Sequence, residues 1–174
     1  NFILFTDIEI IKNLLIKKGI YKKINIINKK NKINFEKKKF NIYTYKSHSK
    51  EGNTYQSLKF VHNFCKNKFC IGLITLPIRK DLIKLKVDKK FIGHTEFFQK
   101  LENKENINMI LYHNNIIISP LTTHVEIKKI SKIILNKNFL YNQILNLNKC
   151  LEIDFKIKKP KIALSGFNPH SGEN

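Results

Sequence analysis

The chain has 174 residues, 42% of them apolar, and 33 Lys and Arg against 13 Asp and Glu give it a formal charge of +20. That length and apolar content allow a buried core, and they exclude both a disordered segment and a mini-domain that needs a disulfide or metal staple. No apolar run approaches about 18 residues and no charged-then-apolar leader opens the sequence, so neither a membrane span nor an export signal is visible.

From the N-terminus, Phe2 to Thr6 (FILFT) reads as a buried strand, with Asp7 in an N-cap position ahead of the helical pattern Ile10, Ile11, Leu14, Leu15. Gly19 closes that helix, and a second strand is expected at Ile24 to Ile27, giving a β-α-β unit whose natural solution is a parallel sheet. Lys29 to Lys39 is a polar loop or hairpin edge, and Phe40 to Tyr45 a further strand. Tyr55, Leu58, Val61, His62 and Phe64 recur at helical spacing. Cys70 to Thr75 (CIGLIT) is expected as a central strand, its following loop, Leu76 to Asp81, leaving the sheet at the carboxyl edge where open α/β sheets bind ligands. Met109 to His113 and Ile116 to Ser119 form two strands joined by Asn114-Asn115, a pair that tolerates the positive φ of a tight hairpin. A helical region follows His124 as far as about Phe155, broken near Asn136 to Asn138, and Lys161 to Ser165 (KIALS) is the last strand. These elements give an α/β fold with a mixed, largely parallel sheet.

The charge alone would suggest a nucleic acid or an anionic membrane. Yet Arg79 is the single arginine, and Arg is the side chain that bidentate recognition of guanine or phosphate favours. Lysines are interleaved along the whole chain with Asn and Ile, the residues with the most A/T-rich codons, so drift in base composition explains the excess without a nucleic-acid partner. Such a field would also attract phosphorylated small molecules. Cys65, Cys70 and Cys150 are an odd number without paired spacing, which suggests a reducing cytosol and a cytoplasmic protein. His62, Cys65 and Cys70 lie on and just after an apolar helical pattern, and buried or half-buried thiols are a better reading than a metal cluster.

Three polar motifs carry a His beside small or hydroxylated residues. His94 and Thr95 stand between Gly93 and a helix expected near Glu96; they are either donors for an anionic, phosphorylated substrate or a helix cap with a structural His. His124, after Thr122 and Thr123, and His170, in Asn168-Pro169-His170, are either metal-ligand imidazoles or surface histidines. Lys80 is a substrate contact, a proton carrier or one more solvated lysine, and in so lysine-rich a chain the last is the default.

Four segments together resemble one family. GLITLPIRKDLI (Gly72 to Ile83), FIGHTEFF (Phe91 to Phe98), PLTTH (Pro120 to His124) and KPKIALSGFNPHSGEN (Lys159 to Asn174) occur in the order and spacing of the 4-hydroxythreonine-4-phosphate dehydrogenases, enzymes of vitamin B6 biosynthesis. The resemblance implies an α/β/α architecture like that of isopropylmalate dehydrogenase and residues 1–174 as part of one such domain. An early Pro- and Gly-rich loop and the later substrate-binding residues fall outside the sequence. It implies His94 and Thr95 as substrate contacts, and His124 and His170 as two of three His ligands of a divalent metal (zinc, magnesium or cobalt), the third lying in a segment this sequence lacks. NAD or NADP as cofactor, a small phosphorylated substrate and a homodimer are implied with them. A sister dehydrogenase of threonate or erythronate 4-phosphate, a basic nucleic-acid-binding module and a decayed remnant are the rival readings.

Overall fold

In the computed structural model, residues 2–28, 33–104 and 107–166 are described, and they divide into two units, Asn1–Phe98 and Gln99–Asn174. The first unit is built on three short strands, β1 (Ile3–Thr6), β2 (Ile24–Ile27) and β3 (Phe40–Thr44), in the order β1-β3-β2 and parallel throughout. The expected β-α-β unit is present, with β3 inserted between its two strands.

Register explains the core. Phe5, Tyr43 and Ile27 lie side by side in one row across the sheet, and period-2 alternation puts all three on one face. Helix α2 (Lys50–Lys66) brings Phe64 down on that row, its ring 4.8 Å from Phe5 and 4.9 Å from Tyr43 in edge-on geometry. Each such pair is worth about 0.5–1.5 kcal/mol beyond the area it buries. The adjacent row faces the other way, and its Ile42 is fully enclosed.

The buried polar residues Thr6, Asp7 and Asn41 are hydrogen-bonded. Asn41, 2% exposed, donates to the carbonyls of Glu36 and Lys39 and accepts from Asn25 Nδ2 and the Glu36 amide, which fastens the chain ahead of β3 to the sheet. At the carboxyl ends of β1 and β3, Asp7 caps α1 (Ile8–Lys17) by accepting from the Glu9 amide at 3.1 Å, and it accepts from the Ser47 amide at 2.8 Å. Asn53 of α2 accepts from the Asp7 amide and donates to Thr6 Oγ1. This sheet edge, a usual place for ligands, is closed by its own side chains. Gly19, with φ of +66°, ends α1 as expected.

Two further helices complete the unit, α3 (Lys80–Lys86) and the start of α4 (His94–Glu102). The expected strand over Cys70 to Thr75 does not form: residues 72–79 carry no regular structure, with Ile71, Ile74 and Leu76 exposed. A strand exists only through a ladder partner, and none of the described residues supplies one here.

The second unit holds a hairpin of β4 (Leu111–His113) and β5 (Ile116–Ile118), then α5 (Ile127–Ile134) and α6 (Lys137–Ile153). Asn114 and Asn115 turn the hairpin at φ of 45° and 65°, the double positive φ of a type I′ turn. The hairpin is a two-stranded antiparallel sheet. Asn136 breaks the helical region and caps α6, accepting from the Phe139 amide. Lys161 to Ser165, expected as a strand, has no regular structure, again without a partner among the described residues. No helix of the described residues is long and apolar enough to cross a membrane.

Candidate functional site

The segment Phe91 to Phe98 is held in place by aromatic side chains at its two ends. Phe91 and Phe97 are buried and pack on each other and on Tyr55 of α2, with ring centroids 5.8, 6.1 and 5.2 Å apart. Tyr55 donates its hydroxyl to Asp88 Oδ2 at 2.8 Å, while Asp88 Oδ1 accepts from the Lys90 amide and the Asp88 carbonyl from the Phe91 amide. One carboxylate thus ties α2 to the turn that delivers the motif. Burial, and then the bond to Asp88, push the Tyr55 phenol up to about 12.

Gly93 is the N-cap of α4, its carbonyl accepting from the Phe97 amide at 3.1 Å, so the helix begins at His94 rather than near Glu96. The His94 ring stacks on Phe98 one turn on, at 6.5 Å and 15°. Its Nε2 is enclosed and has no hydrogen-bond partner among the described residues, a position that a water, an ion or a ligand atom would satisfy. Burial first, then the positive charge of Lys80, lowers its pKa, so the imidazole is neutral at pH 7 and can accept on one nitrogen and donate from the other. Thr95 is half-buried next to it in the sequence.

Lys80, by default a solvated lysine on sequence alone, ends beside this motif. Its Nζ lies 3.2 Å from where a Cβ on Gly93 would stand, and Glu96 Oε2 lies 3.1 Å from the same point. Residues 13 apart in sequence are therefore brought together around the start of α4. The absence of a side chain at position 93 is the one signal that could have suggested it.

His124 belongs to the second unit, in the segment between β5 and α5. It is exposed and adopts φ of +55°, a left-handed conformation uncommon outside Gly, Asn and Asp, though His is among the residues enriched there. Strain of this kind clusters at functional sites. His170 lies outside the described residues. Among the described residues no three His, Cys, Asp or Glu side chains stand together as metal ligands, so they do not by themselves complete the implied metal centre. His62, Cys65 and Cys70 form no such group either: His62 stacks on Phe98 at 6.1 Å, and burial raises both thiols. The one arginine is engaged, Arg79 making a two-pronged bond to Asp81 at 3.0 and 2.7 Å.

Comparison with known proteins agrees with the motifs. The chain is 40% identical over 110 residues to a 4-hydroxythreonine-4-phosphate dehydrogenase of Wigglesworthia glossinidia brevipalpis, covering 63% of this chain and 32% of that protein. Enzymes of the same name from Marinobacter nauticus and Bacteroides thetaiotaomicron are 35% identical over 109 residues and 33% over 102, covering 63% and 58% of this chain and 32% and 28% of theirs. The matched stretch is about a third of each relative's length. A model of the family described as pyridoxal phosphate biosynthetic protein PdxA matches residues 1–174, and the chain belongs to that family.

Proposed function

We propose that the protein carrying this chain is a 4-hydroxythreonine-4-phosphate dehydrogenase acting in pyridoxal 5′-phosphate (vitamin B6) biosynthesis. It oxidises the secondary alcohol of 4-phosphooxy-L-threonine with NAD or NADP to 2-amino-3-oxo-4-phosphooxybutanoate, which loses carbon dioxide to give 3-amino-2-oxopropyl phosphate. The observation that carries this reading is the family match along residues 1–174, supported by the names of the relatives.

Within the proposal His94 and Thr95 bind the substrate. A half-buried, neutral imidazole whose enclosed Nε2 has no partner among the described residues suits a hydrogen bond to a bound polar ligand, which would relieve the cost of that atom. His124 and His170, with a third His outside this sequence, would hold a divalent cation such as zinc, magnesium or cobalt, acting as a Lewis acid on the alcohol oxygen. The left-handed turn at His124, which leaves the residue exposed, is compatible with a ligand role. A cytoplasmic homodimer, of which this chain is part of one α/β domain in each subunit, completes the reading.

The test is turnover by the complete protein of 4-phosphooxy-L-threonine against threonate and erythronate 4-phosphate, with NAD and NADP, before and after chelation. Reduction of the nicotinamide with phosphooxythreonine, lost on chelation and restored by a divalent metal, is the expected result. Turnover of the sugar-acid phosphates alone would assign the protein to the sister activity, and no turnover of any of the three would overturn the proposal.

A further inference from the structure

Lys80 opens α3, and the placing of that helix is determined on three counts. Ile83, 1% exposed, buries the inner face of the helix. Lys86 Nζ reaches Glu51 Oε1 of α2 at 3.0 Å, and the Val87 and Asp88 amides both donate to the Ile83 carbonyl, leading into the Asp88 turn. The backbone that carries Lys80 is therefore fixed relative to the turn that carries Gly93 and His94. The side chain ends over Gly93, where the lack of a Cβ leaves room for both the ammonium and the Glu96 carboxylate. Its charge is felt by the His94 ring. Lys80 is itself exposed, so its ammonium meets solvent on one side while it ends near the buried Gly93 and the Glu96 carboxylate.

We propose that Lys80 is a substrate-binding residue whose ammonium, set over Gly93 beside His94, contacts the phosphate group of the substrate. This rests on the dehydrogenase reading given above. An ammonium is a compact donor for phosphate oxygens, and the neutral His94 adds a hydrogen bond without adding charge. The Glu96 carboxylate offsets part of the lysine's charge, so the contact is worth one charge-assisted hydrogen bond. Removing it weakens binding about 10- to 100-fold. Gly93 is the position that keeps the space open.

Lys80→Ala, Lys80→Arg and Gly93→Ala are made in the complete protein, and KM, kcat and the competitive inhibition constant of inorganic phosphate are measured for each, with urea midpoints as a check of folding. Lys80→Ala is expected to raise KM and the phosphate inhibition constant in parallel by about 10- to 100-fold with kcat little changed, and Lys80→Arg to recover most of the loss. Gly93→Ala displaces two flexible side-chain ends by a few tenths of an ångström, and its expected effect is a smaller rise in both constants with folding preserved. Unchanged KM and phosphate inhibition in Lys80→Ala, or a loss confined to kcat, would overturn the assignment. If the unaltered protein turns over none of the substrates, the dehydrogenase reading fails on its own. Calorimetric binding of inorganic phosphate then decides Lys80: weaker binding in Lys80→Ala upholds the contact, and equal or absent binding in both proteins removes it.

Discussion

The Tyr55 hydroxyl is the most informative single group to delete, because it joins the helix packed on the sheet to the turn that delivers His94. In Tyr55→Phe the ring and its contacts with Phe91 and Phe97 remain, and only the 2.8 Å bond to Asp88 Oδ2 is lost. A hydrogen bond to a charged acceptor contributes about 1.5–3 kcal/mol. Tyr55 is partly exposed, so water replaces some of it and the lower end, about 1.5 kcal/mol, is expected. Urea denaturation of Tyr55→Phe, Asp88→Asn and the double variant measures the coupling, expected at about 1 kcal/mol or more. The pH dependence gives an independent check. Tyr55 has its pKa raised to about 12, so the stability it contributes is complete below the unfolded value near 10 and is lost as pH rises through about 12. That part of the alkaline loss should be missing in Tyr55→Phe. Additive single variants, together with identical alkaline profiles, would refute the clasp.

Ile42→Ala removes a fully enclosed side chain from the central strand and should cost about 2–5 kcal/mol in urea denaturation, a cost below 1 kcal/mol contradicting its enclosure. Asn115 sits at φ of 65°, so Asn115→Val should cost about 1–2 kcal/mol while Asn115→Gly costs nothing; equal stabilities would exclude the type I′ turn. His124→Gly relieves a left-handed conformation and should leave stability unchanged or raise it by up to about 1 kcal/mol. The same variant should lower metal-dependent turnover of the complete protein at least about 100-fold, and full turnover would remove His124 from the ligand set.

Local signals were legible where the cause is local. Asp7 before an apolar period, Gly19 after it, the Asn114-Asn115 pair and the break at Asn136 each specify backbone geometry through their own side chains or their lack of one, and each stands where the sequence places it. Cys70 to Thr75 and Lys161 to Ser165 have the same apolar run as Phe2 to Thr6. What separates them is pairing: Ile3 to Thr6 meets Asn41 to Thr44 in parallel register, and neither other run meets a partner among the described residues. A run of apolar residues is a capacity to be a strand, and the partner that realises it is not written in the run.

The same distinction separates the two halves of the candidate binding site. Gly93, His94 and Thr95 are adjacent in sequence, so the fragment that could hold an anion was visible as a motif, and the structure adds that the half-buried imidazole is neutral and that its Nε2 is enclosed without a hydrogen-bond partner among the described residues. Lys80 had no motif, and one more lysine in a chain of charge +20 carries almost no information by itself. Its information lies in Ile83, Lys86, Asp88 and Tyr55, which fix α3 and the following turn so that the side chain ends over Gly93. A residue's role here depends on packing determined up to 25 residues away at Tyr55, so composition supplied the doubt about Lys80 and tertiary geometry supplied the reason to test it.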